Sequence, residues 1–158
     1  MHIQIELAQP ADAPIITEMV GELLGEIMAA LDEPVFGFDP MATENRARGW
    51  LADGISFMWL ARARDSGEVL GFVAAYEGHA LYAEGAFGTI SELFVRPAYR
   101  SQRIGAALLD EVKRFAKTKR WTRLEVTTPP LPPFNRTLAF YARHGFTISG
   151  GRKMKMAV

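Results

Sequence analysis

Between Tyr99 and Gly105 the chain reads Tyr-Arg-Ser-Gln-Arg-Ile-Gly, a short basic run set between two segments of different periodicity. Before it, Ile90 to Val95 is apolar and β-prone, and Arg96-Pro97 closes it, because proline cannot extend a ladder and biases its predecessor away from helix. After it, Ile104, Ala107, Leu108, Val112, Phe115 and Ala116 recur three or four apart, which predicts an amphipathic helix beginning near residue 104. Strand, basic turn and helix N-terminus are the parts of an anion site. The unpaired N–H groups of the first turn point outward, and the helix dipole adds about half a positive charge there. Gly105 lets a phosphate approach the backbone, and Arg100 and Arg103 bring full charges. A phosphate-bearing ligand fits this spacing; an ordinary strand-to-helix turn with solvated arginines fits it too. Neither G-x-x-x-x-G-K-[ST] nor G-x-G-x-x-G occurs in the chain. A second candidate is Glu92, a charged residue inside the apolar strand, where charges are uncommon unless paired or functional. Burial would raise its pKa toward the range of a general base, by desolvation. The other reading is a salt bridge at the sheet surface.

The rest of the chain supplies the elements that would hold these residues. His2 to Leu7 alternates Ile3, Ile5 and Leu7 against His2, Gln4 and Glu6 and predicts a half-buried strand. Asp12 as N-cap and Pro14 in the first turn open a helix whose apolar face runs from Ile15 to Leu31. Its polar face carries Glu18, Glu22 and Glu26 at i, i+4 and i+8. These repel one another unless a cation or partner relieves them, and are otherwise a solvated face. Asp32 to Pro40 is a breaker-rich loop with Phe36 and Phe38 in it, and Met41 to Leu51 a second helix. Ile55 to Ala63 and Glu68 to Tyr76 read as two strands around the turn Arg64-Asp-Ser-Gly67. Gly78 to Gly88 reads as a small-residue linker with His79 exposed in it. Trp121 to Thr127 is the next strand, and Thr128 to Pro133 a stiff extended segment. Phe134 to His144 is a last helix stopped by Gly145, with His144 a cation at its C-terminal end. Phe146 to Ser149 and Arg152 to Val158 read as a hairpin about Gly150-Gly151. This order predicts an α/β protein, a mixed sheet with helices on both faces, in a single domain over residues 1–158.

Bulk properties narrow the function classes. A chain of 158 residues can bury roughly two-thirds of its unfolded surface without staples. There is no cysteine, which excludes disulfides, thiolate metal sites and a cysteine nucleophile, and suits a reducing compartment. The three histidines are dispersed, so no metal site is expected. The first residues carry no basic, apolar leader, and no apolar run approaches about 18 residues, so a cytoplasmic protein is expected. Net charge is zero but segregated: residues 1–79 hold 4 Lys/Arg against 13 Asp/Glu, and residues 80–158 hold 14 against 5. Such asymmetry suits an anionic partner at one end, or two solvated faces without a steering role. The basic positions are interrupted by apolar ones and carry no nucleic-acid-binding signature, so duplex binding is not expected. The acidic half would favour a cationic acceptor such as an amine.

The central segment resembles the acetyl-CoA signature of the GNAT acyltransferase superfamily. That signature is a strand ending Val-x-Pro, then Tyr-Arg, then (Arg/Gln)-x-x-Gly-x-(Gly/Ala). Leu93-Phe94-Val95-Arg96-Pro97 matches the strand, Tyr99-Arg100 the lead-in and Arg100-Ser-Gln-Arg-Ile-Gly105 the loop. Arg103 stands where the pattern has its first glycine, removing one easy backbone approach while keeping positive charge beside the phosphates. A second segment, Leu138-Ala-Phe-Tyr-Ala-Arg-His-Gly-Phe146, is similar to the late helix of that superfamily and its exit. The resemblance covers about residues 55 to 158 well and the N-terminal third in outline.

The resemblance implies a central mixed, mostly antiparallel sheet of about seven strands flanked by about four helices. It implies backbone contacts from Leu93, Phe94 and Val95 to the pantetheine and thioester carbonyl. The strand is bulged in that superfamily and splays from its neighbour. A bulge also suits this sequence, because Ile90 and Leu93 cannot share a face by strict alternation. Ser101, Gln102, Arg103, Ile104, Gly105 and Ala106 would cradle the pyrophosphate, with Arg100 beside them. Asn135 matches an asparagine ahead of the last helix, one residue nearer Tyr141 than the pattern has it. Tyr141 matches the position that protonates the leaving sulfur; a tyrosine on a helix face is otherwise a core residue with its hydroxyl satisfied. The loop near Phe36 and Phe38 would form one wall of the acceptor pocket.

Acyl transfer to an amine needs a held thioester, donors for a developing oxyanion, a sink for the ammonium proton and a proton for the thiolate. The sequence therefore reads as an acetyl-CoA-dependent N-acetyltransferase acting on a primary amine of a small cationic acceptor. Tyr141 would be the acid, and Glu92 or water the base. A CoA-binding or sensor module of the same fold, without turnover, is the alternative. No nucleic-acid or membrane partner is expected, and the edge strands leave room for a homodimer.

Overall fold

The alternation from Ile3 to Leu7 forms the first strand, β1, in a computed structural model that describes all 158 residues. A 3-10 turn at Pro10–Asp12 leads into α1, Ala13–Leu31, which ends on Asp32 in the left-handed region at φ 54°. α2 spans Pro40–Asp53. Its N-cap Asp39 accepts from the Ala42 N–H at 3.1 Å, and Gly54 ends it at φ 65°. β2, Phe57–Ala63, and β3, Val69–Ala80, flank the turn at Arg64 to Gly67. Then come β4, Gly85–Val95, α3, Ile104–Thr118, β5, Leu124–Val126, and α4, Asn135–Arg143. The strands stand in chain order, β1 to β5, antiparallel except for the parallel β4–β5 pair. The mixed, mostly antiparallel sheet and four helices are as expected, with five strands in place of about seven. The chain forms two compact units: residues 1–127 hold the whole sheet with α1 to α3, and residues 128–158 hold α4. No helix is long and apolar enough to cross a membrane.

Period two decides what each sheet face buries. Met58, Leu60, Phe72, Ala74 and Phe94 point one way and pack with Ile16 and Met19 of α1 and Ala47 of α2. Phe57 and Trp59, out of step by one, point the other way, where the Phe115 ring of α3 lies 4.6 and 5.1 Å from theirs. Helices thus cover both faces of the sheet.

Two expectations need correction. Gly78 to Gly88 is no linker: β3 and β4 run on through it as a hairpin, pairing Gly78 with Phe87 and Ala80 with Gly85. Glycine is tolerated there because neighbouring rings take its side-chain space. A Cβ on Gly78 would lie 2.8 Å from the Phe87 ring, and one on Gly88 2.3 Å from the Trp121 ring. The C-terminal hairpin, conversely, does not form, and residues 147 to 158 hold no strand. Ile148, Met154, Met156 and Val158 stand open to solvent. A two-stranded hairpin with no buried face is marginal in water.

Candidate active site

Where β5 stops, β4 changes its surroundings. β5 pairs only with Gly88, Thr89 and Ile90, so from Ser91 to Val95 β4 keeps β3 on one side and has no strand of the sheet on the other. The register against β3 shifts at the same place: Glu92 faces Ala74, whereas Ile90 faces Ala75, leaving Ser91 as the extra residue of a bulge. Leu93 opposes Val73, so the shift puts Ile90 and Leu93 on one face, the repair their spacing called for. Glu92 is left on the α1–α2 face with Phe94. Desolvation by burial raises the Glu92 carboxyl above its ordinary range, partly offset by the hydrogen bond that the Ser91 hydroxyl donates to Oε2. Ser91 was not singled out from the sequence; a polar residue one step before Glu92, at the point where alternation fails, is the signal that marks it.

Beyond Val95 the chain makes a 3-10 turn at Pro97–Tyr99 and enters the basic loop. Ser101 and Arg103 both have φ 64°, the left-handed region that L side chains rarely adopt. This gives a physical reason for glycine at the Arg103 position of the pattern: glycine reaches that conformation without a Cβ clash. The first backbone bond into α3 is Ala107 N–H to the Arg103 carbonyl at 3.0 Å. The six amides from Ser101 to Ala106 donate to no acceptor in the protein. Successive open N–H groups at a turn and a helix head form an anion-binding concavity. Ser101, Gln102 and Arg103 are exposed, Gly105 and Ala106 half-buried, and Ile104 buried in the core.

The two arginines assigned to phosphate differ. Arg103 makes no ion pair, so its charge is uncommitted. Arg100 is engaged: its Nη1 and Nη2 donate to the two Glu26 oxygens at 3.0 and 2.6 Å, and its Nε donates to the Val95 carbonyl at 2.8 Å. Its guanidinium carbon also lies 5.6 Å from the Phe94 ring centroid. Arg96 lies on the same ladder, with Nη2 2.6 Å from Glu18 and 2.8 Å from Glu22. The repulsion along Glu18, Glu22 and Glu26 is thereby relieved by cations of the loop's lead-in.

Tyr141 and Asn135 belong to the second unit. Tyr141 is a buried side chain of α4, its ring set edge-on to Phe140 at 5.3 Å and to Phe146 at 5.4 Å. Burial raises its pKa, so the phenol keeps its proton throughout the physiological range. Its hydroxyl makes no hydrogen bond, and since no buried side-chain polar atom lacks a partner, that oxygen meets solvent. Asn135 is exposed at the first turn of α4, and its N–H donates to the Pro132 carbonyl at 3.1 Å.

On the α1–α2 side of the first unit an open groove of about 600 Å³ is lined by Pro14, Thr17, Glu18, Phe38, Met41 and Glu44. Phe38 is fixed beside α1 because Gly21 leaves room for its ring, a Cβ there lying 2.7 Å away. Both carboxylates of the groove are already paired, Glu18 with Arg96 at 2.6 Å and Glu44 with Arg48 at 2.9 Å.

A mixed sheet with helices on both faces and a bulged fourth strand, unpaired on one edge after Ile90 and running into a basic helix head, is an acetyltransferase fold. The chain superimposes on an integron cassette protein from the mobile metagenome of Cole Harbour Salt Marsh with TM-score 0.80 at 24% identity, covering 98% of this chain and 90% of that one. A predicted acetyltransferase of Clostridium acetobutylicum with acetyl-CoA matches with TM-score 0.79 at 14% identity, over 98% and 96% of the two chains. An aminoglycoside acetyltransferase from an uncultured soil metagenomic sample, in complex with sisomicin, matches with TM-score 0.75 at 16% identity, over 99% and 95%. No curated protein matches the chain. Residues 21–146 match the model of the acetyltransferase (GNAT) family, and the chain belongs to that family.

Proposed function

We propose that the protein transfers an acetyl group from acetyl-CoA to the primary amine of a small cationic acceptor. The observation that carries this reading is the run of six open amides from Ser101 to Ala106 at the head of α3, with the uncommitted Arg103 among them. A diphosphate needs several donors converging from one side, and this turn offers them from backbone, already ordered. Family membership and a structural neighbour holding acetyl-CoA support that donor. The open edge of β4 from Leu93 to Val95, with Phe94 between them, suits the extended pantetheine arm, which can pair with it as a strand would. Acceptor class is supported by a neighbour whose ligand is sisomicin.

Acetyl-CoA would supply an acyl carbon activated as a thioester. As the amine nitrogen bonds to that carbon, the carbon–sulfur bond breaks. One ammonium proton would pass to Glu92, directly or through water, so that a neutral amine attacks; the sulfur would take a proton from Tyr141, the residue matching the family's acid, and the second proton that leaves nitrogen would restore that phenol. Glu92 suits the first step because burial raises its pKa and so makes its carboxylate a stronger base than an ordinary one. Tyr141 suits the second because burial keeps its proton in place until charge develops on sulfur.

Thiol release from acetyl-CoA over a panel of amines tests the reading. Turnover with at least one polyamine or aminosugar is expected. Tight CoA binding without release for any amine would instead make the protein a binding or sensor module.

A further inference from the structure

We propose that Glu22 and Glu26 of α1 are positioning residues for the loop at the head of α3, a role that rests on the donor site proposed above. Their spacing is one helical turn, and their partners, Arg96 and Arg100, lie four residues apart on either side of the Pro97–Tyr99 turn. Arg96 is locked from several directions. Its Nε lies 3.2 and 3.3 Å from the two Glu22 oxygens, its Nη2 lies 2.8 Å from Glu22, and its Nη1 donates to the Val69 carbonyl at 3.0 Å. Glu26 holds Arg100 as a fork, and the Arg100 Nε returns to the Val95 carbonyl, so the chain before and after Pro97 is tied to one face of α1. Tyr99 between them donates its hydroxyl proton to Glu68 at 2.8 Å.

This anchorage ends where the left-handed residues begin. Ser101 and Arg103 hold conformations that L residues adopt at a cost, and such conformations persist only where the surroundings over-determine them. The segment Arg96 to Arg100 is the fixed base from which that turn springs. Loosening it would let the turn relax and spread the six amides that must converge on one anion.

A direct role for Arg100 predicts the reverse. If its guanidinium were a phosphate ligand masked by Glu26, removing the carboxylate would free one positive charge and delete one negative charge beside the diphosphate. Binding would then tighten. The two readings differ in sign.

Calorimetric titration of CoA into the wild type, Glu22→Gln, Glu26→Gln and Arg100→Lys decides between them. Glu111→Gln is the control, since it removes a carboxylate from the pair with Arg114 on α3. Positioning predicts CoA affinity lowered about 3- to 10-fold by each of the three variants, as expected for loss of a partly exposed charged fork. The control and all melting temperatures should stay near wild type. For an amine that turns over, KM for acetyl-CoA should rise while kcat stays within about twofold, the mark of lost binding and not of lost chemistry. Arg100→Lys is the sharper variant, because it keeps the charge and removes the fork. Equal or tighter CoA binding by Glu26→Gln, or unchanged binding by Arg100→Lys, overturns the proposal while leaving the donor site standing. A wild type that binds no CoA overturns both.

Discussion

The proposed roles of Tyr141 and Glu92 make opposite protonation demands, a proton to give and a carboxylate to receive one. Tyr141 holds its proton because burial disfavours phenolate. Tyr141→Phe keeps the ring and its edge-on contacts while removing the proton, so kcat should fall at least about tenfold with CoA affinity changed less than about threefold. Glu92 has a folded pKa above its ordinary value of 4.5, so the folded protein holds that proton more firmly than the unfolded chain does. The stability linked to its neutral form is present at low pH and is lost as pH rises through the folded pKa. At pH 7 to 8, above the ordinary carboxyl range, the burial of Glu92 is therefore a cost. Glu92→Gln should raise the melting temperature there by about 2–4 °C per kcal/mol relieved while lowering kcat/KM by about 10². It should also remove the acid limb of the pH–rate profile. Loss of both stability and activity would make Glu92 a structural residue.

At the scale of elements, β4 does the positioning: it bulges at Ser91, loses β5 after Ile90 and ends in the turn that opens α3. Gly88 lets β4 and β5 pair, because the Trp121 ring and a Leu124 methyl fill the volume where its side chain would be. Gly88→Ala should cost about 1–3 kcal/mol by overpacking, read as a lower urea midpoint. Much of this was legible in the sequence where one local rule acted alone. The helix after the loop follows from its period, the closing of β4 from Pro97, and the bulge from the mismatch between Ile90 and Leu93. The tip of the β3–β4 hairpin was not legible, because glycines that read as a linker are there to admit rings distant in sequence. The pairing of Glu22 with Arg96 and of Glu26 with Arg100 spans 74 residues in each case, and no local pattern reports it. Only the unrelieved repulsion along α1 hinted that cations would be found. The C-terminal hairpin failed for a complementary reason: alternation predicts a strand only where something covers one face.

For the whole molecule, net charge is zero, yet acidic residues gather in the first half and basic ones in the second. The fold spends part of that asymmetry internally, joining the carboxylates of α1 to the arginines of the loop's lead-in, and leaves Arg103 beside open backbone donors. What remains at the head of α3 is a run of open backbone N–H with one unpaired guanidinium, the proposed diphosphate site. Its most direct test is calorimetry with acetyl-CoA and with CoA at two salt concentrations. One-to-one binding in the micromolar range is predicted for both, weakening as salt screens the phosphate contacts. No detectable heat with either ligand at either salt, from folded protein at about 100-fold that concentration, would contradict the account.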